Sequence, residues 1–375
     1  LAEQKKQKKA KKQNLKAIGP SESEIKSLLH NYQNGQYGDA EKLALSITQE
    51  FPKHQFSWKV LGAVLKETGR VSESLVASQK SVQLAPQDAE PHNSIGVALQ
   101  ELGRLDEAET SLMQAIALKP DFVEAHYNLG ITLKKLGRLD EAEACYTQAI
   151  ALRTDYADAH NNFGILLQEL GRLDEAEACY TQAIAVRPDY AEAHSNLGNT
   201  LKELSRLEEA EASYKQAIVL KSDYAEAYSN LGITLQELGR LDEAEVSYKQ
   251  AIALKSDNAE THKNLGITLQ GLGRVEEAEV SYTQAIALKP DNAETHNSLL
   301  RCLYLLDKQA LFFDKLDYLI NEDAANATIG SLTCRSALKY GVEKPNLFCR
   351  EPLKYVSHID MNTQYDFEEI FVKKA

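Results

Sequence analysis

An asparagine returns at one constant interval through the middle of the sequence, at Asn128, Asn162, Asn196, Asn230 and Asn264, with Ser94 and Ser298 in the same register on either side. A side-chain amide carries both donors and an acceptor, the two groups that a peptide bond also presents. A line of such amides can therefore hold the backbone of an extended polypeptide without reading its sequence. Each contact is worth about 1 kcal/mol net, so several must act together. The same amides have an internal alternative: each could bond to the neighbouring repeat and simply hold the stack.

A second ladder is formed by His92, His126, His160, His194, His262 and His296. It suggests a metal array, but Trp58 and Tyr228 hold the same position, and its face is the packed one. Equivalent side chains on successive repeats are also too far apart to share an ion bound at ~2.0–2.1 Å. The histidines therefore read as structural. A third ladder is acidic: Glu90, Glu124, Asp158, Glu192, Glu226 and Glu260. These acids suit a helix N-terminus whether or not anything binds them. His358-Ile359-Asp360 supplies two members of a facial iron triad, but no histidine follows it before Ala375. There is no nucleophile elbow, P-loop or dinucleotide fingerprint. The chain thus carries no complete catalytic set and implies no cofactor and no metal. A binding protein is expected rather than an enzyme.

The element that positions these residues is a unit of 34, seen most clearly in Val123–Tyr156. It recurs closely from Ala157, Ala191, Ala225 and Ala259, and more loosely from Ala89, Gln55 and Ser21, so that eight units tile 21–292. A fixed period of this length marks a helical repeat array. His126, Leu129, Gly130 and Leu133 share one face of a first helix. Leu139, Ala142, Tyr146 and Ala149 share one face of a second. Gly137 can take the left-handed conformation that ends the first helix, and Gly stands there in seven of the eight units. Ser205 stands there in the sixth, at a cost of about 1 kcal/mol if the backbone angle is kept. Asp140 with Glu143 reads as a capping box for the second helix, repeated at Asp106/Glu109, Asp174/Glu177 and Asp242/Glu245. The first helices carry similar start signals, from Asp121/Glu124 to Asp291/Glu294. At 100° per residue, positions 2, 5, 6, 9, 12 and 13 of the first helix lie together, opposite the packed Leu-Gly face. The asparagines occupy position 6. Neither helix can bury its stripe alone, so the units must stack.

His160, Phe163, Gly164, Ala176, Tyr180, Ala183 and Pro188 follow the offsets of the tetratricopeptide repeat, which the array closely resembles. Thr154, Ser222 and Ser256 replace the closing proline. The resemblance implies an all-α fold: a right-handed superhelical solenoid of paired antiparallel helices, with the first helices lining a concave groove. Eight units would make about one superhelical turn. The asparagine ladder is similar to one that O-linked N-acetylglucosamine transferases use to hold acceptor polypeptides. The Lys/Asn/Arg clamp of tetratricopeptide co-chaperones is absent, because position 2 is acidic here.

Hydrophobic residues make up 43% of the sequence and charged ones 26%, with no apolar run near the ~20 residues of a membrane span. The net charge of −13 argues against nucleic acid and fits a soluble protein with a neutral or basic polypeptide partner. Residues 1–20 form a Lys-rich tail expected to be disordered. Seven lysines against Glu3 give its first sixteen residues +6, which leaves −19 for the rest. A sharper role for the tail is to compete for the acidic positions of the groove. The initial Leu suggests a fragment or a trimmed product. Cys145, Cys179, Cys302, Cys334 and Cys349 include no C-x-x-C pair. Cys145 and Cys179 fall on stacked helices roughly 8–10 Å apart, beyond the ~7 Å limit of a disulfide. Free thiols in a reducing cytoplasm fit this pattern.

Beyond the eight units, residues 293–322 read as a degenerate capping helix pair and 323–375 as a linker-like segment, with a helix near 329–340 and then extended chain leading to a short amphipathic helix. Leu347–Val356 and Tyr365–Val372 resemble the segment that joins such arrays to a C-terminal domain in bacterial proteins of the 2-oxoglutarate–Fe(II) oxygenase type. That resemblance implies an alternative, in which the chain is the substrate-presenting arm of a truncated enzyme, an oxygenase ahead of a glycosyltransferase or sulfotransferase. A third reading is a purely structural spacer or oligomerisation scaffold. The leading expectation is a protein–protein interaction scaffold that holds an extended polypeptide in its groove.

Overall fold

The computed structural model describes residues 19–321, 327–342 and 344. Among them are nineteen helices and no strand. The chain divides into two compact units, Leu1–Thr200 and Leu201–Ala375. In the first, helices run in pairs: α1 (Glu22–Gln33) with α2 (Tyr37–Glu50), α3 (Gln55–Glu67) with α4 (Val71–Leu84), α5 (Ala89–Glu101) with α6 (Leu105–Leu118). The pairs α7 (Val123–Lys135) with α8 (Leu139–Leu152) and α9 (Ala157–Glu169) with α10 (Leu173–Val186) follow, then α11 (Ala191–Glu203), whose residues from Leu201 onward are counted with the second unit. The second unit holds α12 (Leu207–Leu220), α13 (Ala225–Glu237) with α14 (Leu241–Leu254), and α15 (Ala259–Gly271) with α16 (Val275–Leu288). It ends with α17 (Ala293–Leu305), α18 (Gln309–Asn321) and α19 (Ala327–Tyr340).

Each pair is joined by the same turn. The Gly137 amide donates to Lys134 O at 3.0 Å and the Arg138 amide to Leu133 O at 3.0 Å, the two bonds of a Schellman motif. Gly137 has φ +76°, and Ser205 keeps that backbone at φ +61°. This turn decides where the second helix starts. Arg138 becomes the N-cap, with no side-chain bond to the backbone, and Asp140 lies inside the first turn. The predicted capping box is therefore not formed. Asp140 can act only through the helix dipole, because the Schellman closure has already placed the helix start one residue before it. The first helices are also capped later than expected: Asn258 and Asn292 accept from backbone amides, while Phe122 and Tyr224 cap with nothing.

Within a pair, the glycine of the first helix receives the aromatic ring of the second. A Cβ on Gly130 would lie 2.8 Å from Tyr146 Cε1, and one on Gly232 would lie 2.6 Å from Tyr248 Cε1. Tyr146, Tyr180, Tyr248 and Tyr282 are fully buried as a result. The hydroxyls of Tyr180, Tyr248 and Tyr282 donate to Gln168, Gln236 and Gln270 at 3.1–3.2 Å, so the phenol is satisfied as well as packed.

Successive second helices are tied by an arginine at the turn. Arg138 grips Glu141 with Nε and Nη2 at 2.7 and 2.6 Å and reaches Glu109 of the preceding repeat with Nη1 at 2.7 Å. Arg172 does the same with Glu175 and Glu143, and Arg274 with Glu277 and Glu245. In the second unit the register of the repeat runs on past α18. Asp307 (φ +57°) and Gly341 (φ +68°) occupy the turn position one period apart. The helix α19 buries Ile329, Leu332, Thr333 and Ser336, and Lys339 and Tyr340 reach back to Tyr304 O and Asp307 at 3.1 and 2.8 Å.

Candidate polypeptide-binding ladder

All five asparagines are half-buried at the sixth position of a first helix. Asn128 Nδ2 donates to Asn93 Oδ1 at 3.0 Å, Asn162 Nδ2 to Tyr127 Oη at 2.8 Å, and Asn196 Nδ2 to Asn161 Oδ1 at 3.0 Å. Each bond runs from position 6 of one repeat to position 5 of the repeat before it. Asn161 Nδ2 also donates to Asn162 Oδ1 at 3.3 Å. The peptide carbonyls of Asn128, Asn196, Asn230 and Asn264 accept from Thr132, Thr200, Thr234 and Thr268 one turn later. In the first unit the ladder thus has a second rail, Asn93, Tyr127 and Asn161, which the spacing of the asparagines does not reveal. The signal for it was the polar residue directly before each one.

The acidic ladder is largely answered by bases. Asp158 meets Arg187 Nη2 at 2.8 Å and accepts from Tyr190 Oη at 3.0 Å, while Arg187 lies 4.1 Å from the centre of the Tyr190 ring. Glu90 pairs with Lys59 at 2.7 Å and Glu260 with Lys263 at 2.7 Å. Burial pushes the Glu124 carboxyl up, but its hydrogen bond and charge interaction with Arg153 outweigh this and hold it below the usual range. The Tyr127 ring packs tilted against that of Tyr156, centroids 4.9 Å apart, and burial, followed by the nearby Asp158, pushes its hydroxyl up to about 12. It is a neutral hydrogen-bonding group at ordinary pH.

The histidine ladder closes loops. His92, His126, His160, His194, His262 and His296 each place Nε2 2.6–3.1 Å from the carbonyl six residues earlier, and Trp58 Nε1 does the same at 2.9 Å. Facing a carbonyl, each Nε2 must carry the hydrogen. Among the described residues no group of His, Cys, Asp and Glu could hold a metal ion. Among the described residues Cys145, Cys179 and Cys302 take part in no disulfide, and burial pushes their thiols up to about 11. The Lys-rich stretch of residues 1–16, Cys349, His358–Asp360 and the two segments resembling the oxygenase linker lie outside the described residues. No helix among the described residues is long and apolar enough to cross a membrane.

Paired antiparallel helices of 12–14 residues, the αL turn and the Gly–Tyr contact define a tetratricopeptide-repeat protein, and a tetratricopeptide repeat model matches residues 98–137. A longer family model, that of the cilia and flagella-associated protein 70 C-terminal domain, matches residues 123–312, half of the chain, and the chain belongs to this family. No curated protein matches it. Among solved structures, a chain of the APC/C hetero-tetramer Cut9-Hcn1 is similar at 19% identity and TM-score 0.55, over 71% of this chain and 52% of its own length. This chain therefore spans about half of that one. PilF of Pseudomonas aeruginosa is similar at 19% identity and TM-score 0.51, over 55% of this chain and 94% of its own. At these identities the likeness is one of fold.

Proposed function

We propose that the first helices present a concave surface to an extended polypeptide or partner protein. The amides of Asn128, Asn162 and Asn196 in one unit, and of Asn230 and Asn264 in the other, would contact its backbone. Tetratricopeptide arrays are protein–protein interaction scaffolds, and this chain has their architecture. The observation that carries the finer reading is the state of the amides. Asn128, Asn162 and Asn196 each use one N–H to hold the preceding helix, yet all five asparagines stay half-exposed. A fixed amide with a second N–H and spare acceptor capacity is pre-organised for a ligand, which reduces the ordering cost of binding. On this reading the described residues bind and carry out no bond-making chemistry.

The test is the triple substitution of Asn162, Asn196 and Asn230 by Ala, measured against the best binder from an array of uncharged peptides. At about 1 kcal/mol per contact, affinity should fall about 100-fold. Lost thermal stability with unchanged affinity would leave the asparagines a purely structural role. Failure of every peptide on the array to saturate the protein would refute the binding role itself.

A further inference from the structure

We infer that α17 and α19 form a pocket for an oxyanion carried by the bound polypeptide, with Arg301 and Arg335 as its ligands. This deepens the proposed polypeptide-binding role and rests on it. Position 9 of the first helix is apolar or amide in the earlier repeats: Val97, Ile131, Ile165, Asn199, Ile233 and Ile267. It then becomes arginine twice in succession, one period apart. The two arginines line one cavity of about 370 Å³ together with Tyr304, Thr328 and Ser331, and among the described residues no acid lines it.

The arginines elsewhere are used differently. Those at the turns, such as Arg138, Arg172 and Arg274, are each paired with two glutamates, and Arg153 and Arg187 are paired with Glu124 and Asp158. Arg301 and Arg335 are exposed and form no salt bridge among the described residues. Two like charges on one cavity repel each other, and a ligand with two negative oxygens relieves the repulsion. The guanidinium fork matches carboxylate and phosphate geometry. The hydroxyls of Tyr304, Thr328 and Ser331 are further donors at the same cavity. Beyond its Lys-rich first sixteen residues the chain is strongly acidic, so a site of this sign is a local exception there that would select and orient an anionic residue of the ligand. It differs from the co-chaperone clamp, whose basic second position is Glu294 in this repeat.

The experiment uses the full chain and the Arg301→Gln/Arg335→Gln double variant. The probes are fluorescent oligoglutamate, an uncharged Gly-Ser peptide, and the Gly-Ser peptide carrying one phosphoserine. The wild type should bind at least one anionic probe over the uncharged one, with an affinity that falls as salt rises. The double variant should lose about ten-fold or more of that affinity while keeping its helical signal and melting temperature, since neither side chain supports the fold. The seven lysines of residues 1–16 remain in both proteins, so the loss would belong to the pocket. A preference for phosphoserine that inorganic phosphate competes away makes the natural group a phosphoryl. A preference for glutamate makes it a carboxylate. Equal affinity of wild type and double variant for every anionic probe overturns the inference, as does the absence of any anion preference. Neither result touches the asparagine test, which uses uncharged peptides.

Discussion

Replacing Ser205 by Gly isolates the cost of one backbone angle. Ser205 sits at φ +61° in the turn where Gly171 and Gly239 take φ +73° and +75°. A non-glycine residue in the left-handed region costs about 1–2 kcal/mol. The new glycine returns about 0.4–1 kcal/mol of that by loosening the unfolded chain, so a net gain of roughly 0.5–1 kcal/mol is expected. In a protein of this size that raises the melting temperature by about 2 °C. The mirror change is Gly171→Ala. A Cβ there meets nothing within 4 Å, so its cost of similar size is purely conformational. Urea and thermal melts of both variants measure the effect, with Ser205→Ala as the control that removes the hydroxyl but keeps the Cβ. If Ser205→Gly gains nothing and Gly171→Ala costs nothing, the assignment of strain to this turn is wrong.

The packing and titration of other groups lead to further expectations. Gly232→Ala puts a methyl 2.6 Å from Tyr248 Cε1 and should cost about 1–3 kcal/mol, read by thermal unfolding. A silent substitution would mean that the ring moves freely. His296 is 4% exposed, with Nδ1 buried and without a hydrogen-bond partner among the described residues, and burial lowers its pKa from 6.5. Its folded form binds the proton less well than the unfolded one. The stability this contributes is complete above pH 6.5 and declines as the pH falls through 6.5 and below the folded value. Comparing wild type with His296→Gln in pH-dependent melts should show a smaller acid loss in the variant, and parallel curves would refute it.

The repeat was legible because its signals are local. Gly137 marks the turn because only a residue without Cβ takes positive φ freely, and Leu139, Ala142 and Tyr146 mark a helix by their spacing. The capping boxes misled for a physical reason. An Asp three residues before a Glu looks the same whether it stands at the N-cap or two residues past it, and only the bond from Arg138 N to Leu133 O decides between them. The continuation into α19 could also have been found. Gly341 lies one full period after Asp307, but the Leu, Ala and Tyr consensus around it has faded.

The asparagine register was plain, and the partners of the amides were not. Asn128 to Asn93 is a step of 35, and Arg138 to Glu109 a step of 29. Neither number is the period, because a side chain leans along its helix and meets a residue one or more places off register in the next repeat.

By itself the sequence determined the period, the two helices of each unit, the turn between them and the faces they bury. These follow from backbone preferences and hydrophobic spacing within a single repeat. Tertiary structure alone decided which neighbour each amide meets, which glutamates each arginine joins, and that Arg301 and Arg335 share a cavity. Such contacts depend on the rotation and rise from one repeat to the next. A period read from letters gives the length of that step and leaves its angle to the packing of the buried side chains.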